Sequence, residues 1–251
     1  MIETSFLSGR RLGLSTIVYF FALSICVGLV NVPVAAQEKR TVRIGVIRSA
    51  AIPILEVNQK GFEAALAASG WKEGVNVTFD VQTIGADPHR EQAIIQKFLA
   101  EKVDLIHSIG TAGTRAAMQA TGKVPVVFSA VTDPVNAGIV PATVPSGKPT
   151  GTNVTGVSDR WPVGLQLETY SKIVPKAKKW GTIYNPAEAN AVLQAKALEE
   201  AARKLGLDLV TSTVSNVAEV RAAAQALAPK VQAIFLLSDN TATADYMAIQ
   251  E

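Results

Sequence analysis

The sequence predicts an α/β fold of two lobes, each a parallel sheet covered by helices, with the chain crossing from one lobe to the other. Three observations carry this. Short β-branched runs alternate with stretches whose apolar residues fall at helical spacing. A compositional break at Pro141, Pro145, Gly147, Pro149 and Gly151 interrupts that alternation, and beyond it the alternation begins again. The stretch 124–159 spans the change: a strand-like run closed by Asp133-Pro134, the break, then an extended run stopped by Ser158-Asp159. A chain built this way is expected to hold a ligand where the lobes face each other.

In the first half, residues 41–47 (TVRIGVI) read as a strand ending in the small-residue turn 48–51. Leu55, Phe62, Ala65 and Leu66 follow at helical spacing, stopped by Ser69-Gly70. Residues 75–81 alternate as a second strand. Asp87-Pro88 offers an N-cap and a first-turn proline for a helix that turns Ile94, Ile95, Phe98 and Leu99 inward. Residues 103–109, 111–121 and 125–131 then read as strand, helix and strand, a pattern that builds a parallel sheet buried on both faces.

After the break, residues 153–157 read as a strand. A helix carrying Leu165, Leu167 and Ile173 ends before Pro175, and residues 180–184 form the next strand. Asn185-Pro186 is expected to cap a helix with Val192, Ala195, Leu198, Ala202 and Leu205 on one side. The pairs Glu199/Arg203 and Glu200/Lys204 mark its solvated side. A strand at 207–214, a helix at 217–228 and a strand at 231–237 follow, and a helix begins at 241 without a stop signal. That ending predicts a fragment whose second lobe and hinge are incomplete at the C-terminus. The expected domains are 37–157 and 158–251.

Before them, Arg10-Arg11, the uncharged apolar run 12–30 and Val34-Ala35-Ala36 read as a secretory signal cleaved before Gln37. Retention of the run as a membrane anchor is the alternative; Pro33 favours cleavage. Cys26, the single cysteine, lies in that run behind Ile25, where a lipoprotein site wants a small residue. The exported part therefore has no disulfide and relies on its core. The formal net charge of +3 gives no reason to expect a nucleic-acid partner. No later apolar run is long enough to span a bilayer, so a soluble exported protein is expected.

Catalysis finds no residues to nominate. His107 in LIHSIG reads as a buried strand residue and His89 as an exposed one. The two are not spaced as a metal pair, and no H-E-x-x-H or cysteine set is present. Ser108 lacks the glycine of a nucleophile elbow, since Ile106 stands there. Gly110-Thr111-Ala112-Gly113 lacks dinucleotide-binding spacing, and there is no Walker lysine. No catalytic residue, cofactor or metal is expected.

The binding loops follow from topology, because ligands of open parallel sheets lie beyond the carboxyl ends of the strands. In the first half these loops are 48–51, 84–87, 110–114 and 130–134; in the second, 185–191, 215–216 and 238–241. Residues 110–113 and Asn185-Pro186 suit an anion such as a carboxylate. Asp133 and Asp239 end their strands, either to receive an ammonium or to serve as turn and cap residues. The apolar loop 50–54 suits an organic side chain. Tyr184, Phe128 and Trp161 lie near these loops, as ligand platforms or as core and rim.

VTDPVNAGIV, TNVTGVSD, KKWGTIYNPAEANAV and SDNTATA, in this order, resemble the ABC-transporter substrate-binding proteins of the tryptophan/tyrosine-type family, from about residue 42 onward. The resemblance implies a type I periplasmic-binding-protein fold, with two Rossmann-like lobes, three connecting strands and a clamped ligand. It implies a monomer in the periplasm that hands a small molecule, an aromatic or other amino acid, to an ABC permease and its ATPase. An exported subunit signalling to a receptor kinase would use the same pocket. A sugar-responsive repressor core shares the fold but has a DNA-binding head that this chain lacks. Family chains also continue past the present end.

Matched residue by residue, the resemblance places Ser49 and Ala50 after the first strand, Thr111 and Ala112 after the third, and Thr132 and Asp133 after the fourth. Asp159 falls at the crossover. Asn185, Glu188 and Asn190 match one second-lobe motif, and Asp239 and Asn240 another. By this resemblance the Asn190 end holds a ligand carboxylate and Asp239 the amine. Family members commonly carry Ser after that Asn, whereas Ala191 stands here, which removes one donor.

Overall fold

The computed structural model of the protein describes residues 40–85 and 88–250, without the side chains of Pro88 and His89. The expected export signal with Cys26, the Asp87 cap and the exposure of His89 lie outside the described residues. Among those described, no helix is long and apolar enough to cross a membrane.

The first lobe is a five-stranded parallel sheet. In chain order its elements are β1 (Val42–Arg48), α1 (Pro53–Ala68), β2 (Val77–Thr83), α2 (Pro88–Ala100), β3 (Leu105–Ile109), α3 (Thr111–Ala120), β4 (Val126–Val131) and β5 (Val154–Ser158). The strand order is β2-β1-β3-β4-β5. Strand alternation divides the core in two. Ile44 and Val46 of β1 pack with Leu55 of α1 on one face, while Ile47 packs with Ile95 and Phe98 of α2 on the other. Gly45 faces α2 as well, and a Cβ there would sit 2.7 Å from the Phe98 ring; glycine lets that fully buried ring lie against the strand. The β4–β5 ladder shifts register between Phe128 and Val131, around Ala130 at φ 52°. A Cβ at Gly156 would run into the Phe128 carbonyl, so this close approach also requires glycine.

Residues 141–151 cross the surface in turns such as Val144 N–H to Pro141 O and Lys148 N–H to Pro145 O. The second sheet, order β7-β6-β8, is also parallel. It is built from α4 (Val163–Ile173), β6 (Lys179–Tyr184), α5 (Ala189–Leu205), β7 (Asp208–Thr213), α6 (Val220–Leu227) and β8 (Ala233–Ile234). The short helices α7 (Asn240–Ala244) and α8 (Tyr246–Gln250) follow.

Four sequence expectations are corrected here. The helix after β6 starts at Ala189, not at Asn185-Pro186, because the Asn185 carboxamide oxygen accepts the Ala187 N–H at 2.9 Å and makes a turn of its own. The helix stops at Gly206, in the left-handed region at φ 66°. In α4, Val163 and Leu167 are buried four residues apart, and Leu165 and Ile173 point to solvent. The last strand shrinks from 231–237 to β8. Phe235 N–H still reaches Gly181 O, and past the expected end of the strand the side chain of Gln194 accepts the Ser238 N–H at 2.7 Å. The final helix is two short ones, broken at Asp245.

Candidate functional site

The carboxyl ends of both sheets face one another, and a cleft of about 390 Å³ lies between them. From the first lobe it is lined by Ile52, Leu55, Val57 and Asn58 at the start of α1, Gly110 and Thr111 after β3, and Ala130 and Thr132 at the end of β4. Asp159 and Trp161 come from the crossover, and Asn190, Asp239, Asn240 and Thr243 from the second lobe. Its size is that of a small-molecule site. A second, larger cavity of about 700 Å³ opens between α2, α3 and the loop after β6.

Of the residues expected from sequence, Thr111, Thr132, Asp159, Asn190, Asp239 and Asn240 line the cleft. Ala112, Asn185 and Glu188 line the larger cavity instead. Ser49, Ala50 and Asp133 line neither. Ser49 stands behind the 110–113 loop, where its Oγ meets the Gly113 N–H at 3.5 Å, and Gly110, at φ 102°, leaves room for it. Ala50 packs with Ile52, Leu55 and Ile109 in the core. Asp133 accepts the Asn136 N–H at 3.0 Å and its carboxamide at 2.8 Å, the turn role. Against the upward push of burial, Asn136 and Arg160 hold the Asp133 carboxyl below its ordinary value.

Two residues that line the cleft carry a buried polar atom without a partner. The Thr111 hydroxyl sits at the first position of α3 with the residue 4 % exposed, and no hydrogen bond reaches it. The first turn of α3 carries no acidic residue and no side-chain cap, so its N–H groups and dipole favour a negative charge. One carboxylate oxygen of Asp159 is also buried and unpartnered; burial pushes this carboxyl up, against hydrogen bonds from its own N–H and Thr132.

The second lobe brings a further buried carboxyl to the cleft. Asp239 is 1 % exposed and accepts the Asn185 N–H at 2.7 Å and, as N-cap of α7, the Ala242 N–H at 2.6 Å. Burial first, then the charge of Glu188, pushes its carboxyl up to about 6. Glu188 ties the loops after β6 and β8 together. Its carboxylate accepts the N–H groups of Asn240 and Thr241, each at 2.9 Å, the Asn240 carboxamide at 2.7 Å and the Thr241 hydroxyl at 2.8 Å. The Asn190 carboxamide gives its hydrogens to Ser238 O at 2.6 Å and to Glu188 at 3.3 Å. Those donors are engaged inside the lobe, whereas the Thr111 hydroxyl across the cleft is not.

Sequence reasoning missed Asn58 and the apolar α1 wall beyond the 50–54 loop; helical spacing from Leu55 was the signal available. Among the aromatic candidates, Phe128 is core and Tyr184 packs against the second-lobe core, while Trp161 lines the cleft at 41 % exposure. Among the described residues no group of three or more His, Cys, Asp or Glu could hold a metal ion.

Residues 43–251 match the family described as ABC transporter substrate binding protein. The chain is 37% identical over 204 residues to a tyrosine-binding protein of Clostridioides difficile strain R20291, an alignment covering 81% of this chain and 58% of that protein. The present sequence thus spans less than two thirds of that relative. A conserved domain protein of Vibrio cholerae superposes with TM-score 0.79 at 36% identity, over 84% of this chain and 71% of that one. An ABC domain of Streptococcus pneumoniae in complex with L-Trp gives 0.77 at 30% identity, over 83% and 69%. A ligand-free, open structure of a substrate binding protein with adhesive properties from Clostridium difficile gives 0.57 at 34% identity, over 83% and 70%.

Proposed function

The chain belongs to the ABC transporter substrate-binding protein family, and we propose that it captures an amino acid, an aromatic one first, in the cleft between its lobes and presents it to a membrane permease. The observation that carries this is an unpartnered donor and a buried carboxyl on the same cavity. The unpartnered Thr111 hydroxyl and the uncapped start of α3 stand on the first-lobe side, and Asp239, its carboxyl buried, lines the cavity from the second. A zwitterion satisfies both, its carboxylate at residues 110–113 and its ammonium at Asp239. Ile52, Leu55, Val57 and Trp161 supply the apolar wall that an aromatic side chain needs.

The relatives support the same class, since one is a tyrosine-binding protein and another holds L-Trp. The superposition is also closer to the L-Trp complex than to the open, ligand-free relative at similar identity, which supports an arrangement near the closed one. In this reading the ligand is held and released unchanged. Export to the periplasm through cleavage of the 1–36 segment belongs to the same proposal and rests on the sequence pattern there.

Calorimetric titration with each of the common amino acids tests the reading. L-tyrosine or L-tryptophan is expected to bind, and Thr111→Val to weaken that binding by about 1.5–3 kcal/mol, the scale of one lost hydrogen bond to a charged group. A protein that binds no amino acid sinks the proposal.

A further inference from the structure

The first-lobe wall holds one more cleft residue whose orientation is set from behind. Asn58 of α1 lines the cavity. Its Oδ1 lies 2.6 Å from Ser129 Oγ on β4, and Ser129 Oγ lies 2.9 Å from Nε2 of His107 on β3. Phe62, one helical turn beyond Asn58, stacks on the His107 ring at 3.9 Å between centroids. His107 is 1 % exposed, and its Nδ1 has no partner.

The direction of the protons along this chain follows from that unpartnered nitrogen. Burial pushes His107 down to about 4, so the ring is neutral at ordinary pH and carries one proton. With the proton on Nδ1, a buried N–H would be left unpaired, and the desolvation cost of an unmade hydrogen bond would fall on the ring. With the proton on Nε2, the ring donates to Ser129 Oγ, the hydroxyl donates to Asn58 Oδ1, and only a ring lone pair lacks a partner. The second arrangement turns the Asn58 oxygen away from the cleft and leaves its NH2 free, and no hydrogen bond from Nδ2 is made among the described residues.

We propose that His107 and Ser129 lock the Asn58 carboxamide with Nδ2 facing the cleft, so that Asn58 donates to an acceptor oxygen of the bound ligand, a carboxylate or carbonyl rather than an ammonium. The inference rests on the reading of the cleft as an amino-acid site for its ligand. The lock itself is independent of it. Asn58 is the contact, and Ser129 and His107 are positioning residues.

Two measurements on the whole chain test this. Nitrogen-15 NMR of the histidine side chains, without ligand, is expected to show His107 neutral with its proton on Nε2 between pH 6 and 8; a proton on Nδ1 overturns the proposal whatever the protein binds. Titrations with L-tyrosine and L-tryptophan then read the contact. Asn58→Asp keeps the acceptor for Ser129 but puts an oxygen where the donor was, and is expected to weaken binding at least tenfold. Ser129→Ala releases the lock and is expected to weaken it several-fold, with Ser129→Thr restoring it. An Asn58→Asp variant that binds as tightly as the parent overturns the contact. A parent that binds neither amino acid overturns the amino-acid reading instead, and the proton position still decides the lock.

Discussion

Asp239 is one of two carboxyls that line the cleft, with Asp159, and the more deeply buried of them. Its proton is held up to about 6 by burial and by Glu188, against an ordinary value of 3.8. Below the ordinary value both folded and unfolded chains keep the proton, and the group costs nothing. As pH rises from about 4 to about 6, the unfolded chain releases its proton while the folded protein retains it, so this group lowers stability across that window. An ammonium seated beside the carboxyl reverses the preference, since an opposite charge favours the ionised form. Amino-acid affinity is therefore expected to be level above about pH 7 and to fall about tenfold for each unit below 6, with a proton released on binding near pH 5.5. Calorimetry in buffers of different ionisation enthalpy counts that proton. An affinity unchanged from pH 7 to 5 removes Asp239 from contact with the ligand's charge.

At the scale of elements, the strands and helices were legible because a parallel sheet buried on both faces writes itself as β-branched runs, and its covering helices as helical spacing. What stayed hidden was competition between side chains and backbone. Asn185-Pro186 carries every mark of a helix cap, yet the Asn185 carboxamide closes a turn with Ala187 and the helix waits until Ala189. Residues 231–237 read as one strand, yet only Ala233 and Ile234 pair with β6. The site was legible as a set of loops, because strand ends determine them. The assignment of partners within it was not: Glu188 and Asn190 are spent on the loop they lie against, a pairing that depends on residues about 50 positions away. This yields a coupled expectation. Glu188→Gln replaces an acceptor by a donor against the Asn240 groups and should cost about 1–3 kcal/mol, read as a lowered Tm. The same change removes the charge that helps to raise Asp239, so the pH at which ligand affinity begins to fall should move down. A Tm loss without any movement of that pH would separate the two roles and reject Glu188 as a charge that tunes the cleft.

At the scale of the whole molecule, the described chain passes from the first lobe to the second between Ser158 and Val163, and Trp161 stands in that passage and lines the cleft. A ligand shifts two lobes toward closure only by as much as it binds the closed arrangement better than the open one, and contacts from both sides supply that difference. Residues 110–113 and Asp239 are on opposite lobes, so a zwitterion bridging them draws the lobes together and changes the surroundings of Trp161. The other two tryptophans stand elsewhere: Trp71 is 40 % exposed beyond the end of α1, and Trp180 is 3 % exposed, its indole N–H donating to Ala177 O at 3.1 Å. Indole emission should therefore change on addition of an amino acid that carries no indole, such as L-tyrosine, saturating with the calorimetric affinity. Trp161→Phe should abolish that change while Trp71→Phe leaves it intact. Emission that still responds in Trp161→Phe, or calorimetric binding with no response in the parent, would mean that the ligand is held by one lobe alone and that closure is not how this cleft grips.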